Sequence, residues 1–169
     1  MLAQARAERV VISFHGLPEH QCRAADESHA HCLQNATCCD RLEPVNRTCY
    51  RAQCLATARR LAEKLALAEA DYIVAFQSRL GHKVWIRPYT DQVLRDLAHQ
   101  GIKRVAVISP AFVADCLETL EELGLRATEQ WKAAGGEALF LVPALNAEDA
   151  WADAVVRIAR EQSSWLSTL

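Results

Sequence analysis

The sequence predicts an α/β domain with an open sheet of about four parallel strands and helices on both faces, a three-layer, Rossmann-like or flavodoxin-like arrangement. Two observations carry that expectation. Four short apolar runs rich in β-branched residues recur, and a helical stretch separates each from the next. Near-continuous apolarity suits strands buried on both faces, and alternation with helices gives right-handed crossovers and a parallel sheet.

The first run, Val10–Phe14, leads into "SFHGLP", where Gly16 and Pro18 force a turn and leave His15 at a strand end. After a cysteine-rich stretch, "RAQCLATARRLAEKLAL" brings Leu55, Ala58, Ala62 and Leu65 round at three- and four-residue steps, one apolar helical face. The second run is Tyr72–Phe76. Thr90 is then placed to cap a helix carrying Val93, Leu94 and Leu97, with Gly101 as its stop. The third run, Val105–Ser109, precedes a helical region from about Ala114 to Ala134, with a break near Gly124 and an end at Gly135-Gly136. The fourth run, Ala138–Val142, is followed by a helix that starts after Asn146 and carries Trp151, Ala154, Val155 and Ile158. At 169 residues the chain is expected to form one domain, residues 1–169, interrupted by a cysteine-rich insertion at 20–49.

Composition narrows the functional classes. The formal net charge is −2, with 51% hydrophobic and 24% charged residues, which excludes the basic footprint of a nucleic-acid binder. No apolar run approaches the ~20 residues of a membrane span, and the start is too short and charged for a signal peptide. A cytoplasmic setting is the default, with peripheral membrane association left open. In a reducing compartment a cysteine cluster points to metal or redox chemistry before disulfides.

In open parallel sheets the reactive groups gather beyond the carboxyl ends of the strands. That rule brings His15, Gln77–Arg79, Pro110–Glu118 and Leu145–Asn146 to one edge. Within "DCLETLEE", Asp115, Glu118 and Glu122 stand at three- and four-residue steps, so a helix there stacks three carboxylates on one stripe. A solvated acidic face accounts for most such stripes. Beside a histidine, the same groups could relay protons or ferry a divalent cation. "FQSRLGHKVWIRPYTD" adds the cation Arg79 and the aromatics Trp85 and Tyr89, which suit either packing or a flat, acidic, aromatic ligand.

"SFHGLP", "AFQSRLGHKVWIRPYTD", "AFVADCLETLEEL" and "LNAEDAWADAV" occur together, in the order and spacing of the carboxyl-terminal half of ferrochelatase, and the chain resembles that family over nearly its whole length apart from the insertion. The resemblance implies a lyase of heme (porphyrin) biosynthesis that inserts Fe²⁺ into protoporphyrin IX or a related porphyrin. By the same resemblance His15 is the essential histidine, a proton acceptor or metal ligand, and Glu118 the glutamate on the other side of the macrocycle. Asp115 and Glu122 match the acidic metal path, and Ser78, Arg79 and Trp85 the porphyrin-binding region. Cys116 stands where the family usually has histidine. The amino-terminal half of the family has no counterpart, so the chain is expected to fold alone, to act poorly by itself, and to need that half as partner. Two alternatives stand beside it: a chelatase for a cobalt or siroheme precursor, and a non-catalytic cluster- or zinc-binding module.

The stretch "HCLQNATCCDRLEPVNRTC" holds four of the seven cysteines. "TCYRAQC" matches the family's motif at the start of the next helix, which makes Cys54 an ordinary helix residue. Cys22, Cys32, Cys38, Cys39 and Cys49 remain. Some ferrochelatases carry a [2Fe–2S] cluster, and four of these five could hold one in a structural or regulatory role. A Cys₄ or Cys₃His Zn²⁺ site using His29 or His31 is the alternative cofactor, and disulfides or free thiols the third.

Overall fold

The computed structural model describes residues 6–161. Four strands, β1 (Arg9–His15), β2 (Tyr72–Gln77), β3 (Arg104–Ile108) and β4 (Ala138–Leu141), form one sheet in the order β2-β1-β3-β4. Every pairing is parallel. The first crossover runs one way and the next two the other, so the topological switch point lies between the ends of β1 and β3, where such sheets hold their ligands.

Helices cover both faces, as the alternation of strands and helices demands. On one face Val11, Ala75, Val105 and Val107 pack against Val93, Leu94 and Leu97 of α3 (Thr90–His99) and against Leu123, Ala127 and Trp131. On the other, Val10, Ile12, Phe14, Phe76 and Ala106 meet Cys54 and Ala58 of α2 (Tyr50–Lys64), with Cys22 and Cys32 from the insertion. Successive strand residues point to opposite faces, so β1 is apolar on both sides because it is central.

Local details differ from expectation in four places. The buried face of α2 is Ala52, Cys54, Ala58 and Ala62, while Leu55 is half-buried and Leu65 exposed, because small residues let the helix lie close to the sheet. Thr90 does not cap α3; Tyr89 precedes the helix, and the Thr90 hydroxyl turns inward to Ser13 at 2.8 Å. Gly101 does end the helix, at φ +89°. The region after β3 does not become helical at Ala114 and does not break at Gly124. It winds as a π-helix over Glu118–Arg126, straight through Gly124, and continues as α4 (Ala127–Ala133). The last helix, α5 (Asp149–Glu161), buries none of its apolar residues.

The insertion contributes a short helix, α1 (Glu19–Ala24), then turns and a 3₁₀ turn at Pro44–Asn46. Asp26 organises it: its carboxylate accepts from the Ser28 backbone and hydroxyl and from the backbone N–H groups of His31 and Cys32. Four donors hold that carboxyl far below the usual range, the Ser28 hydroxyl most of all. No helix among the described residues is long and apolar enough to cross a membrane.

Candidate active site

The sheet delivers its reactive groups to the predicted edge. His15, Ser78, Arg79, Leu80, Trp85, Leu117, Glu118, Glu121, Glu122 and Arg126 surround an open pocket of about 420 Å³. His15 is the last residue of β1 and pairs in register with Gln77, the last of β2. The His15 ring lies 6.4 Å from Trp85 and 6.3 Å from Phe112, centroid to centroid. Its Nδ1 stands 2.6 Å from the Gly16 carbonyl. A carbonyl can only accept, so in the neutral ring Nδ1 carries the proton and Nε2 keeps its lone pair. Tyr50, at the start of α2, donates its hydroxyl to the His15 carbonyl at 2.8 Å.

Trp85 is set by backbone pairing: Glu19 N donates to Val84 O and Ile86 N to Leu17 O, while the indole N–H reaches Leu80 O. The segment after β2 is thereby strapped to the turn after β1. Gly16 lies inside this strap, and a Cβ there would come within 2.9 Å of Gln77 O and 3.2 Å of the Trp85 ring.

Glu118 and Glu122 share a side of the π-helical segment, where wider i→i+5 winding brings four steps close to one turn. Leu117, directly before the segment, and Glu121, three residues after Glu118, also reach the pocket wall. Glu118's carboxyl is held below its usual range, chiefly by the Cys116 thiol and also by charge on His15. Glu122 is gripped by Ser78, which donates its N–H at 2.8 Å and its hydroxyl at 2.5 Å to the two carboxylate oxygens. Ser78 does this from φ +65°, a conformation uncommon outside glycine and concentrated at functional sites.

Asp115 stands apart. It precedes the helix, so the expected three-carboxylate stripe is a pair, and Asp115 is absent from the pocket wall. Its oxygens accept from Asn146 Nδ2 at 2.8 Å, Thr119 Oγ1 at 3.0 Å and Ala144 N at 3.4 Å. Those partners, Asn146 first, hold its carboxyl low. Arg79 lines the pocket while paired with Asp91 at 2.6 Å and stacked 4.0 Å over the Tyr89 ring.

The five insertion cysteines form a second constellation, away from this pocket. All five are buried and every cysteine is a free thiol. Cys49 sits at the centre. The Cys39 thiol, the backbone N–H groups of Ala52 and Arg51, and the Cys32 thiol hold its thiol well below the usual range, against the cost of burial. Burial pushes Cys22 up to about 11 and Cys32 to about 12. Cys38 and Cys39 lie 3.6 Å apart at sulfur. Among the described residues no group of three or more His, Cys, Asp or Glu side chains is arranged to hold a metal ion. His31 has its Nε2 on the Cys38 carbonyl, and His29 is exposed. The donor set is soft, buried and free of disulfides, which suits an iron–sulfur cluster, whose four sulfurs divide between two irons.

A parallel sheet with a histidine and glutamates at its switch point defines a chelatase-like α/β protein. The crystal structure of a putative cobalamin (vitamin B12) biosynthesis CbiX protein from Marinobacter aquaeolei VT8 shares the fold, with a TM-score of 0.51 and 15% identity over 92% of this chain and 97% of that one. The family model for ferrochelatase matches residues 1–163, and the chain belongs to the ferrochelatase family. Ferrochelatase of Azotobacter vinelandii is 52% identical over 155 residues, 90% of this chain and 46% of the relative. That of Pseudomonas fluorescens SBW25 is 51% identical over 149 residues, 88% and 44%. That of Coxiella burnetii is 44% identical over 160 residues, 95% and 45%. The chain spans a little under half the length of these relatives.

Proposed function

We propose that this chain is the carboxyl-terminal half of a ferrochelatase that inserts Fe²⁺ into protoporphyrin IX or a related porphyrin, and that it is inactive without an amino-terminal half. The observation that carries the proposal is the pairing of His15 and Glu118 in one open pocket, in a chain about half identical to ferrochelatases. Metal insertion releases two pyrrole N–H protons, so a base must stand at the ring nitrogens. His15 Nε2 is that base, because Nδ1 is committed to the Gly16 carbonyl. Glu118, whose carboxyl the Cys116 thiol holds below its usual range, offers a carboxylate to the incoming cation and balances the imidazolium once His15 has taken its proton. Hard oxygen and imidazole ligands hold Fe²⁺ without retaining it as thiolates would. Trp85, Leu80 and Leu117 supply apolar surface for the macrocycle, and Ser78 and Arg79 the polar rim. Glu122 extends the acidic wall, with both oxygens fixed by Ser78. Asp115 we assign to the turn that carries Glu118 rather than to cation transfer, since Asn146 and Thr119 occupy its oxygens.

Four of Cys22, Cys32, Cys38, Cys39 and Cys49 hold a [2Fe–2S] cluster on this reading, with Cys49 among them because the Cys39 and Cys32 thiols and the Ala52 and Arg51 backbone N–H groups converge on its sulfur. Such a cluster, when bound, staples the insertion and supplies a one-electron centre; metal insertion itself moves no electrons. The test of function is turnover of Fe²⁺ and porphyrin to heme by the protein expressed from its complete gene, which His15→Ala and Glu118→Gln should each abolish.

A further inference from the structure

The proposed base and carboxylate come from elements far apart in the chain, and their spacing must be set by something. Gln77 touches both sides. Its backbone pairs in register with His15, and its carbonyl accepts the Gly16 N–H at 2.7 Å. Gln77 is 3% exposed, yet both side-chain polar atoms have partners. Oε1 accepts the Ser13 hydroxyl at 2.7 Å and shares the single Ser109 hydroxyl proton, at 3.3 Å, with the Ser13 carbonyl, while Nε2 donates to the Glu118 backbone carbonyl at 3.0 Å. Ser13 in turn meets the Thr90 hydroxyl, and Ser109 donates to the Ser13 carbonyl. The next residue, Ser78, holds the Glu122 carboxylate. One dipeptide at the end of β2 thus grips the π-helical segment at Glu118 and again at Glu122.

Only an amide both donates and accepts in one plane at this reach. Serine or threonine is too short, and a glutamate would face the Glu118 carbonyl with an acceptor. Burial makes the arrangement rigid, because each lost partner leaves a polar atom with no water to replace it. The hydroxyls tie the amide to β1 and to the end of β3, so the π-helical segment is referenced to the same sheet edge that carries His15.

We propose that Gln77 is a positioning residue that sets the spacing between His15 and Glu118, and so governs turnover without touching substrate. The proposal rests on the functional reading of those two residues. Gln77→Met keeps the length of the side chain and loses all three bonds; Gln77→Glu keeps the acceptors and loses the donor. In the protein expressed from its complete gene, both variants should lower kcat by about tenfold to a hundredfold, the cost of a misplacement near 1 Å, with KM for porphyrin within about threefold of the parent.

A second readout uses this 169-residue chain and the carboxyl ¹³C titration of Glu118. In the parent, His15→Ala should move the Glu118 midpoint upward, because charge on His15 holds it down. In the Gln77→Met background the same substitution should move the midpoint by less. Leu97→Ala, a core cavity variant outside the pocket, controls for simple destabilisation and should leave kcat and the coupling intact. Parent-like kcat and coupling in Gln77→Met would overturn the proposal, as would equal losses in Leu97→Ala. Should His15→Ala keep full turnover, the functional reading falls, while the titration coupling still decides the role of Gln77.

Discussion

Replacing Gly16 with alanine places one methyl group where the strap beside His15 has no room. The new Cβ would lie 2.9 Å from Gln77 O and 3.2 Å from Trp85 Cε3. The carbonyl cannot swing aside, because it is backbone and already accepts the Gly16 N–H at 2.7 Å. Either that bond stretches or Trp85 moves off the histidine. Overpacking of this kind costs about 1–3 kcal/mol, and a weakened backbone bond adds about 0.5–1.5 kcal/mol. A loss of about 2 kcal/mol shifts the folding equilibrium roughly thirtyfold. With a urea slope of about 2 kcal/mol/M, the midpoint of unfolding followed by circular dichroism should fall by about 1 M with the slope unchanged. Gly124→Ala is the matched comparison. Its Cβ would meet Thr119 O at 3.3 Å and Leu141 at 3.6 Å, and alanine's helical preference of about 1 kcal/mol offsets that crowding. A Gly16→Ala midpoint within about 0.2 M of the parent would refute the close approach and the fixed placement of Trp85 with it.

Tyr50→Phe removes only the hydroxyl on the His15 carbonyl, and should cost about 1 kcal/mol in urea unfolding and lower turnover; unchanged values in both would remove Tyr50 from the support of the base. Cys116→Ala removes the main contact holding the Glu118 carboxyl down, so its ¹³C titration midpoint should rise toward the ordinary value near about 4.3. The sign for stability follows. A depressed carboxyl stabilises the fold fully above its unfolded pKa, and that contribution fades as pH falls through the lower folded value, so Cys116→Ala should narrow the difference between melts at neutral and acid pH. Anaerobically purified protein should be brown, with iron and acid-labile sulfide in equal amounts; Cys49→Ser should bleach it and Cys54→Ser should not. Colourless protein with stoichiometric zinc would replace the cluster by the alternative metal.

The sheet was legible because β1 and β3 are apolar on both faces, and only a central parallel strand needs that pattern. His15 was legible because a strand that ends in His-Gly puts its imidazole at the switch point. The stripe of Asp115, Glu118 and Glu122 was legible only in part. Spacings of three and four fit an α-helix, but the turn locked by Asn146 delays the helix, so Asp115 leaves the stripe while Glu121 joins Glu118 and Glu122 at the wall. Gln77 could be placed at the sheet edge, but no local pattern announces a bond to a carbonyl 41 residues away. Thr90 looked like a cap because threonine before an apolar helix usually is one; a buried serine across the sheet edge offered its hydroxyl a drier partner. In α2 the spacing of Leu55, Ala58, Ala62 and Leu65 marks a face of which the two alanines are buried, with Ala52 and Cys54 completing it in place of the leucines.

The central claim is that His15 and Glu118 act as a pair on porphyrin and ferrous iron. Its most direct test is the rate of heme formation, under anaerobic conditions, by the protein expressed from its complete gene, in the parent and in His15→Ala and Glu118→Gln. The parent should turn over, and each variant should fall to the uncatalysed rate while keeping the parent's circular dichroism spectrum. Turnover in both variants at the parent's rate would contradict the account.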